Sequence, residues 1–499
     1  MRRLLPYLLP LLLMAACSKD TSSEVDPVSP VPTAIGLSDD AFTLPQSGGE
    51  LSLTVTAPAR PKLTDLPDWV RLTDGTFKDY RITLSLKVAA NASDEAREAL
   101  VIVTAAGVPS VSFSIRQEGP VVPEPGKDPS GWENAAAAAR NMGTGWNLGN
   151  TLESHSGDVN HMWIEAWSDR SPSVYEKAWG QPVTTHALFH MFKEAGFHAI
   201  RIPVTWYPHM GTMTLRDTEH WDLLSGWDGY AIDPVWMARV REVVDYVIDE
   251  GMYCILNVHH DTGDASTTWL KADRQYYETY KERYCALWTQ IATEFRDYDH
   301  KLLFESFNEM LDGNNTWNYS TSEAHGIINQ YNADFVRTVR ATGGNNAHRN
   351  LILNTYAASP LPQVLQDFVL PEDSAADHLL AEVHSYAPYQ FAFDVQSGAK
   401  TEFDDWCAAE VRRQIQYIYD GLISRGIPCI IGEYGCTSAR SEAEIAKQCA
   451  CYIEAAARYG IPCFCWMLLS DGEDRAVPTW TMPALKDAIL NAYLENRKP

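Results

Sequence analysis

Apolar and polar positions follow two different rhythms along this chain, and the change between them divides it. Between residues 35 and 119 they alternate in short runs: "ELSLTVTA", "WVRLTD", "YRITLSLKVAAN", "REALVIVTAAG" and "VSFSIRQEG". Period-two alternation broken by turn residues belongs to strands with one buried face, and it predicts a small all-β, immunoglobulin-like sandwich. From residue 132 to 499, compact apolar runs alternate instead with helical periodicity, as over 234–250, 322–342 and 404–424. That pattern specifies βα units and a parallel sheet. Eight strand-like runs occur, at 143–150, 199–204, 253–260, 302–309, 350–356, 379–386, 428–435 and 462–468. Eight is the count of a closed α/β barrel, the (β/α)8 TIM barrel, and polar residues recur where such barrels carry their active sites, at the carboxyl ends of the runs.

The strand ends supply a coherent chemistry. The first offers Asn150 with Glu153 one turn later, the second Arg201, the third His259 and His260. The fourth gives Asn308 and Glu309, the sixth His384 and Tyr386, the seventh Glu433, the eighth Trp466. A carboxylate at the end of a buried apolar strand is costly, so a pair of them implies work. Two carboxylates flanking one bond are the equipment of a retaining glycosidase. Glu309 is then the acid/base, protonated so that it can donate to the leaving oxygen. Glu433 is the nucleophile and must stay ionised, favoured by the charge of Arg201 and a hydrogen bond from the Tyr386 hydroxyl. Asn308 is expected to hold the sugar 2-hydroxyl, and Trp466 to lie under the sugar. His259 is expected to orient Arg201 or the nucleophile, and His260 to reach toward substrate. Adjacent histidines on a strand face opposite ways and do not easily share a metal, so neither metal nor cofactor is expected. The plain alternative makes these groups salt-bridged core carboxylates and packed core rings.

Composition narrows the partner. With 40 Lys+Arg against 65 Asp+Glu, the net charge is −25, which argues against nucleic acid. The 16 Trp and 23 Tyr exceed what a core needs and suit a sugar-binding cleft, since ring faces stack on pyranoses. Trp163, Trp167 and Trp179 in the long loop after the first run, with Trp206, Trp221, Trp227 and Trp269, predict an open cleft for a polymer. Nine cysteines lie beyond residue 253, among them the pairs Cys449/Cys451 and Cys463/Cys465 in C-x-C rather than C-x-x-C spacing, and they are expected to be buried free thiols. At the N-terminus, Arg2 and Arg3 precede an apolar stretch, 4–13, then Met14-Ala15-Ala16-Cys17. This reads as an export signal over 1–16, too short to span a bilayer as a helix. A polar tether follows over 17–34, and a Pro-rich linker over 120–131 joins the two domains.

Several of these features resemble known families. "GWNLGNTLE", "AIRIPVTW", "NVHHDTG", "FESFNE", "EVHSYAP", "IGEYG" and the last-strand Trp together resemble glycoside hydrolase family 5 across residues 132–499. The resemblance implies Glu309 as acid/base and Glu433 as nucleophile, with Arg201, His259, His384 and Tyr386 in the family's supporting positions. "AWGQPVTT" and "HHDTG" are similar to the branch rich in endo-β-1,4-glucanases and xyloglucanases. That branch commonly reads Trp-Asp-Asn-Gly after the last strand, whereas here Trp466 is followed by "MLLSDG", which leaves any role for Asp471 open. The expected activity is retaining hydrolysis of internal β-1,4 bonds in plant cell-wall glucans: xyloglucan, cellulose-type or mixed-linkage. A β-mannanase is the enzymatic alternative, and a non-catalytic surface glycan-binding lipoprotein the alternative of another class. Trp69, Asn91, Arg97 and 117–119 resemble the BACON domain, expected here to be a spacer. Ala-Ala-Cys resembles a lipobox with Cys17 lipidated, which implies anchoring in a bacterial outer membrane with exposure at the cell surface; a monomer is expected.

Overall fold

The computed structural model describes residues 30–73, 75–93, 95–119, 131–211, 214–215, 221–222, 230–318 and 320–497. The export segment, Cys17, most of the tether, nearly all of the linker, Trp227 and the side chain of Trp221 lie outside the described residues. Contacts divide the chain between Gly119 and Pro120.

In the first unit, alternation becomes burial. Ile82, Leu84, Leu86 and Val88 of Arg81–Val88 are buried and the residues between them exposed. One sheet runs in the order Gly36–Leu37, Gly49–Thr56, Arg81–Val88, Val70–Thr73. The other runs Ala41–Leu44, Val111–Gln117, Arg97–Thr104, Lys62–Thr64. Their inner faces share one apolar core. The Arg97 guanidinium lies 4.4 Å from the Trp69 ring centre and donates to Gln117 Oε1 at 2.9 Å. Trp69 is half-buried, packed on that core beneath Arg97.

In the second unit the eight apolar runs form a closed parallel barrel. Its strands are β1 (Thr144–Asn147), β2 (Ala199–Ile202), β3 (Tyr253–Asn257), β4 (Leu302–Glu305), β5 (Leu351–Asn354), β6 (Leu379–Ser385), β7 (Cys429–Tyr434) and β8 (Cys463–Trp466). Helices lie between them, Pro234–Asp249, Ser322–Ala341 and Asp405–Gly421 among them, close to the expected spans. Alternation sets two layers inside the barrel. The lower is apolar: Ala199, Ile255, Leu303, Ile352, Leu380, Ile430 and Phe464 pack with Ala135, Ala138, Ala139 and Met142 of the helix Ala135–Met142. Next on the same faces come Asn147, Arg201, Asn257, Glu305, Asn354 and Glu382, all fully buried. This polar layer is the floor of the site.

The strands are shorter than the apolar runs that foretold them. β1 ends at Asn147 rather than Asn150, β3 at Asn257 rather than His260, and β4 at Glu305 rather than Glu309. Side chains of the polar layer compete for ladder groups: Asn257 Oδ1 accepts the Val204 N–H at 3.1 Å. All nine cysteines beyond residue 253 are free thiols, seven of them buried.

Candidate active site

Local irregularity, not regular strand, aims the two carboxylates. On β7, strict alternation from the inward Ile430 would turn Gly432 inward and Glu433 out toward the helices. Pairing with β6 instead jumps from Val383↔Ile431 to His384↔Glu433, a bulge at Gly432 that turns Glu433 inward and Tyr434 outward. Gly432 is required there: a Cβ would lie 1.5 Å from Glu382 Oε1. Glu309 sits on the loop after β4, where the Asn308 N–H donates to Val258 O at 2.8 Å.

Arg201 organises the floor. Its Nε and Nη2 donate to both oxygens of Glu305 at 2.6 and 2.8 Å. Nη1 donates to Glu433 Oε1 and Asn147 Oδ1, both at 2.9 Å, and Nη2 to Asn308 Oδ1 at 3.0 Å. The Tyr386 hydroxyl donates to the other Glu433 oxygen at 2.8 Å. Burial alone would raise the Glu433 carboxyl, but the charges of His384 and Arg201 and these hydrogen bonds outweigh it and hold it below the usual carboxylate range. Glu433 is thus kept ionised.

His384 joins the carboxylates. Its Nδ1 is 2.8 Å from Glu309 Oε1 and 3.6 Å from Glu433 Oε2, and its Nε2 is 3.3 Å from Glu382 Oε1. Burial opposes its charge, yet Glu433, Glu309 and Glu382 push it up to about 10, so it is an imidazolium at neutral pH. One oxygen of Glu309, one of Glu433 and a His384 nitrogen all lie within 4.8 Å of one another. Those three are the group among the described residues able to converge on a cation. An imidazolium protonated at both nitrogens has no lone pair to offer one. A gap of this size between carboxylates is the retaining spacing, roughly 5 Å, and not the roughly 6.5–9.5 Å that seats a water beneath the sugar.

Above the floor opens a cleft of about 1020 Å³ lined by His259, His260, Asn308, Glu309, His384, Tyr386, Glu433 and Trp466. Trp466 is half-buried and stacks parallel to His259, with centroids 5.8 Å apart. His259, expected to orient Arg201 or the nucleophile, reaches Arg201 indirectly: its Nδ1 accepts from Asn257 Nδ2 at 3.0 Å, and Asn257 donates to Glu305, the partner of Arg201, at 3.0 Å. His260 packs against His155 and Trp179, and burial lowers it to about 4, so it is a neutral ring.

Asn150 and Glu153 do not line the cleft. Asn150 has φ 60°, and its N–H and that of Thr151 both donate to the Glu153 carboxylate, which is fully buried and raised to about 7 by burial. They shape the loop after β1. Asp471 and Arg475 tie the divergent loop after β8 to the same region: Asp471 Oδ1 accepts from Gln181 at 2.6 Å and Arg475 donates to Gly149 O at 2.7 Å. Trp206 and Trp269 are core, donating to Asn257 O and Asp261 Oδ1.

Residue type and strand position alone left unidentified Glu305, Glu382 and Asn147, which lie inside apolar-looking runs, where no signal within a single run shows which way a polar residue faces. It also left Trp317, Tyr389 and Phe393 unidentified. These three aromatics are 45–66% exposed on the cleft wall, in the loops after β4 and β6.

Residues 159–472 match the family described as "Cellulase (glycosyl hydrolase family 5)". Endoglucanase A of Clostridium longisporum is 34% identical over 375 residues, covering 72% of this chain and 66% of that protein. Endoglucanase B of Neocallimastix patriciarum is 36% identical over 329 residues, covering 66% of this chain and 63% of that one. The chain thus spans slightly less than two thirds of the length of these two relatives. Among solved structures, a glycoside hydrolase family 5 enzyme of Prevotella bryantii B14, PbGH5A, superposes with a TM-score of 0.64 at 39% identity, covering 72% of this chain and 99% of that one. It was solved as a glutamate-to-alanine mutant with the xyloglucan tetradecasaccharide XXXGXXXG. The barrel, the paired glutamates and these likenesses converge: the chain belongs to glycoside hydrolase family 5.

Proposed function

We propose that the protein is a retaining endo-β-1,4-glucanase acting on plant cell-wall glucans, xyloglucan among them, with Glu433 as nucleophile and Glu309 as acid/base. The observation that carries this is the pair of carboxylates with oxygens within 4.8 Å, one held ionised, at the base of an open cleft. Glu433 attacks the anomeric carbon while the glycosidic bond breaks and the leaving oxygen takes the proton of Glu309. Water then attacks the glycosyl ester, Glu309 takes its proton, and the bond to Glu433 breaks. Asn308 accepts from Arg201 through Oδ1, leaving its amide N–H groups for the 2-hydroxyl. Trp466 forms the sugar platform, with Trp317, Tyr389 and Phe393 as further stacking faces. The endoglucanase relatives and the xyloglucan complex of PbGH5A support this substrate class.

Reducing-end release on xyloglucan, carboxymethyl cellulose, barley glucan and mannan tests the reading. Glucans are expected to respond, and a response to mannan alone overturns it in favour of a mannanase. Glu309→Gln should lower the rate about 10²–10⁴-fold and Glu433→Ala at least as much. Variants as fast as the parent would restore the non-catalytic, glycan-binding alternative.

The N-terminal residues support a lipid anchor on Cys17 that holds the protein at the outer surface of a bacterial outer membrane. Cys17→Ala should move it from the membrane to the soluble fraction, and retention on the membrane contradicts the anchor. The sandwich serves as a BACON-type spacer, since Trp69 lies beneath Arg97.

A further inference from the structure

Glu382 is a buried carboxyl for which the double displacement has no task. It faces into the barrel on β6, next below His384 on the same face, and is fully buried. Its Oε1 is 3.3 Å from His384 Nε2 and 3.3 Å from Arg201 Nε, and its Oε2 accepts from Asn354 Nδ2 at 3.4 Å. Arg201 bonds Glu305 and Glu433 at shorter range, so its contact with Glu382 is the longest of its three carboxylate contacts. Space for the carboxyl is built in, because any Cβ at position 432 would collide with Oε1. Glu382, His384 and Glu309 thereby form an unbroken hydrogen-bonded line from the barrel interior to the cleft.

We propose that Glu382 is a positioning residue for the acid/base: it accepts the Nε2–H of His384 and so fixes the ring with Nδ1–H turned to Glu309. The imidazolium then stabilises the carboxylate that forms on Glu309 as its proton passes to the departing oxygen. This rests on the assignment of Glu309 as acid/base.

The groups facing the pair are Arg201 from β2, His259 from beyond β3, Glu305 and Glu309 from β4 and its loop, Asn354 from β5, and Cys429 and Glu433 from β7. Burial first, and then Glu305, push Glu382 up to about 8. Its part toward His384 is that of an oxygen acceptor, which the 3.3 Å contact with Nε2 supplies whatever charge the carboxyl carries. An oxygen without charge should suffice, and an apolar side chain should not.

The test is leaving-group dependence. kcat/KM reports the first displacement, in which an unactivated cello-oligosaccharide needs a proton from Glu309 and a 2,4-dinitrophenyl β-cellobioside does not. Glu382→Leu should lower kcat/KM at least ~10-fold on the oligosaccharide and no more than ~3-fold on the dinitrophenyl substrate. Glu382→Gln, which keeps the oxygen, should restore most of the loss. Glu382→Met, closer to glutamate in shape, carries the same comparison if the leucine protein does not fold. In ¹⁵N-histidine spectra, His384 should remain doubly protonated at pH 8 in the parent and lose a proton at lower pH in the apolar variant. Equal losses on both substrates, no loss on either, or no recovery with glutamine overturns the proposal. A parent protein that cleaves neither substrate nor any β-1,4-glucan fails the glucanase reading instead.

Discussion

Tyr386 and Arg201 fix how acidic a medium Glu433 tolerates. The nucleophile works only when ionised, so the acid limb of kcat/KM falls where it takes up a proton. Its carboxyl lies below the ordinary range because His384, Arg201 and Tyr386 outweigh its burial. Tyr386→Phe removes one hydrogen bond made to the ionised form alone, so protonation becomes easier and the acid limb moves to higher pH. A hydrogen bond to a charged group contributes about 1.5–3 kcal/mol, which bounds the shift at roughly one to two pH units. A pH–rate profile checks this; a fall in rate at every pH with the limb unmoved would mean that Tyr386 does not act on the charge of Glu433. The sequence made Tyr386 and Glu433 legible because polar residues at the ends of apolar runs stand out, and Arg201 because a cation within such a run does. Glu305 and Glu382 did not stand out, since one polar residue inside an apolar run gives no sign of which way it faces.

Along the strands, what was legible was existence and order. Eight runs became eight strands in one closed barrel, because a run apolar on both faces has few other places to go. Their ends were not legible. β4 stops at Glu305, since beyond it the chain turns to deliver Asn308 and Glu309 to the cleft. The bulge on β7 was hidden too: alternation gives no sign that Gly432 is passed over. That glycine yields a sharp expectation. A methyl group there meets the Glu382 carboxyl and its side-chain carbons, with no apolar space to enter. Gly432→Ala should cost about 1–3 kcal/mol of stability by overpacking, read as a lower denaturation midpoint, and should also lower kcat because Glu433 is the next residue. A variant of parental stability and activity would show that Glu382 can vacate its place freely.

Across the two units, chemistry and core separate cleanly. The sandwich has its own apolar core of alternating strand residues, and the barrel has a larger one that its helices share. Every group assigned to catalysis lies in the second unit, as does the whole family match over 159–472. The exposed aromatics suited to stacking on a glucan stand on the barrel's loops, whereas the conspicuous sandwich tryptophan, Trp69, is half-buried beneath Arg97. A protein comprising residues 131–499 should therefore fold alone and hydrolyse soluble xyloglucan with kcat/KM within about twofold of the full chain, since independent sites add to within ~0.3–0.5 kcal/mol. Binding isotherms of the separate sandwich on xyloglucan and cellulose should show no saturable association. If removing the sandwich raised KM severalfold while leaving kcat intact, a glycan-binding surface on it would have to be sought away from Trp69. A spacer acts by reach alone, so its loss should be felt only by protein held at a membrane and presented with an insoluble wall.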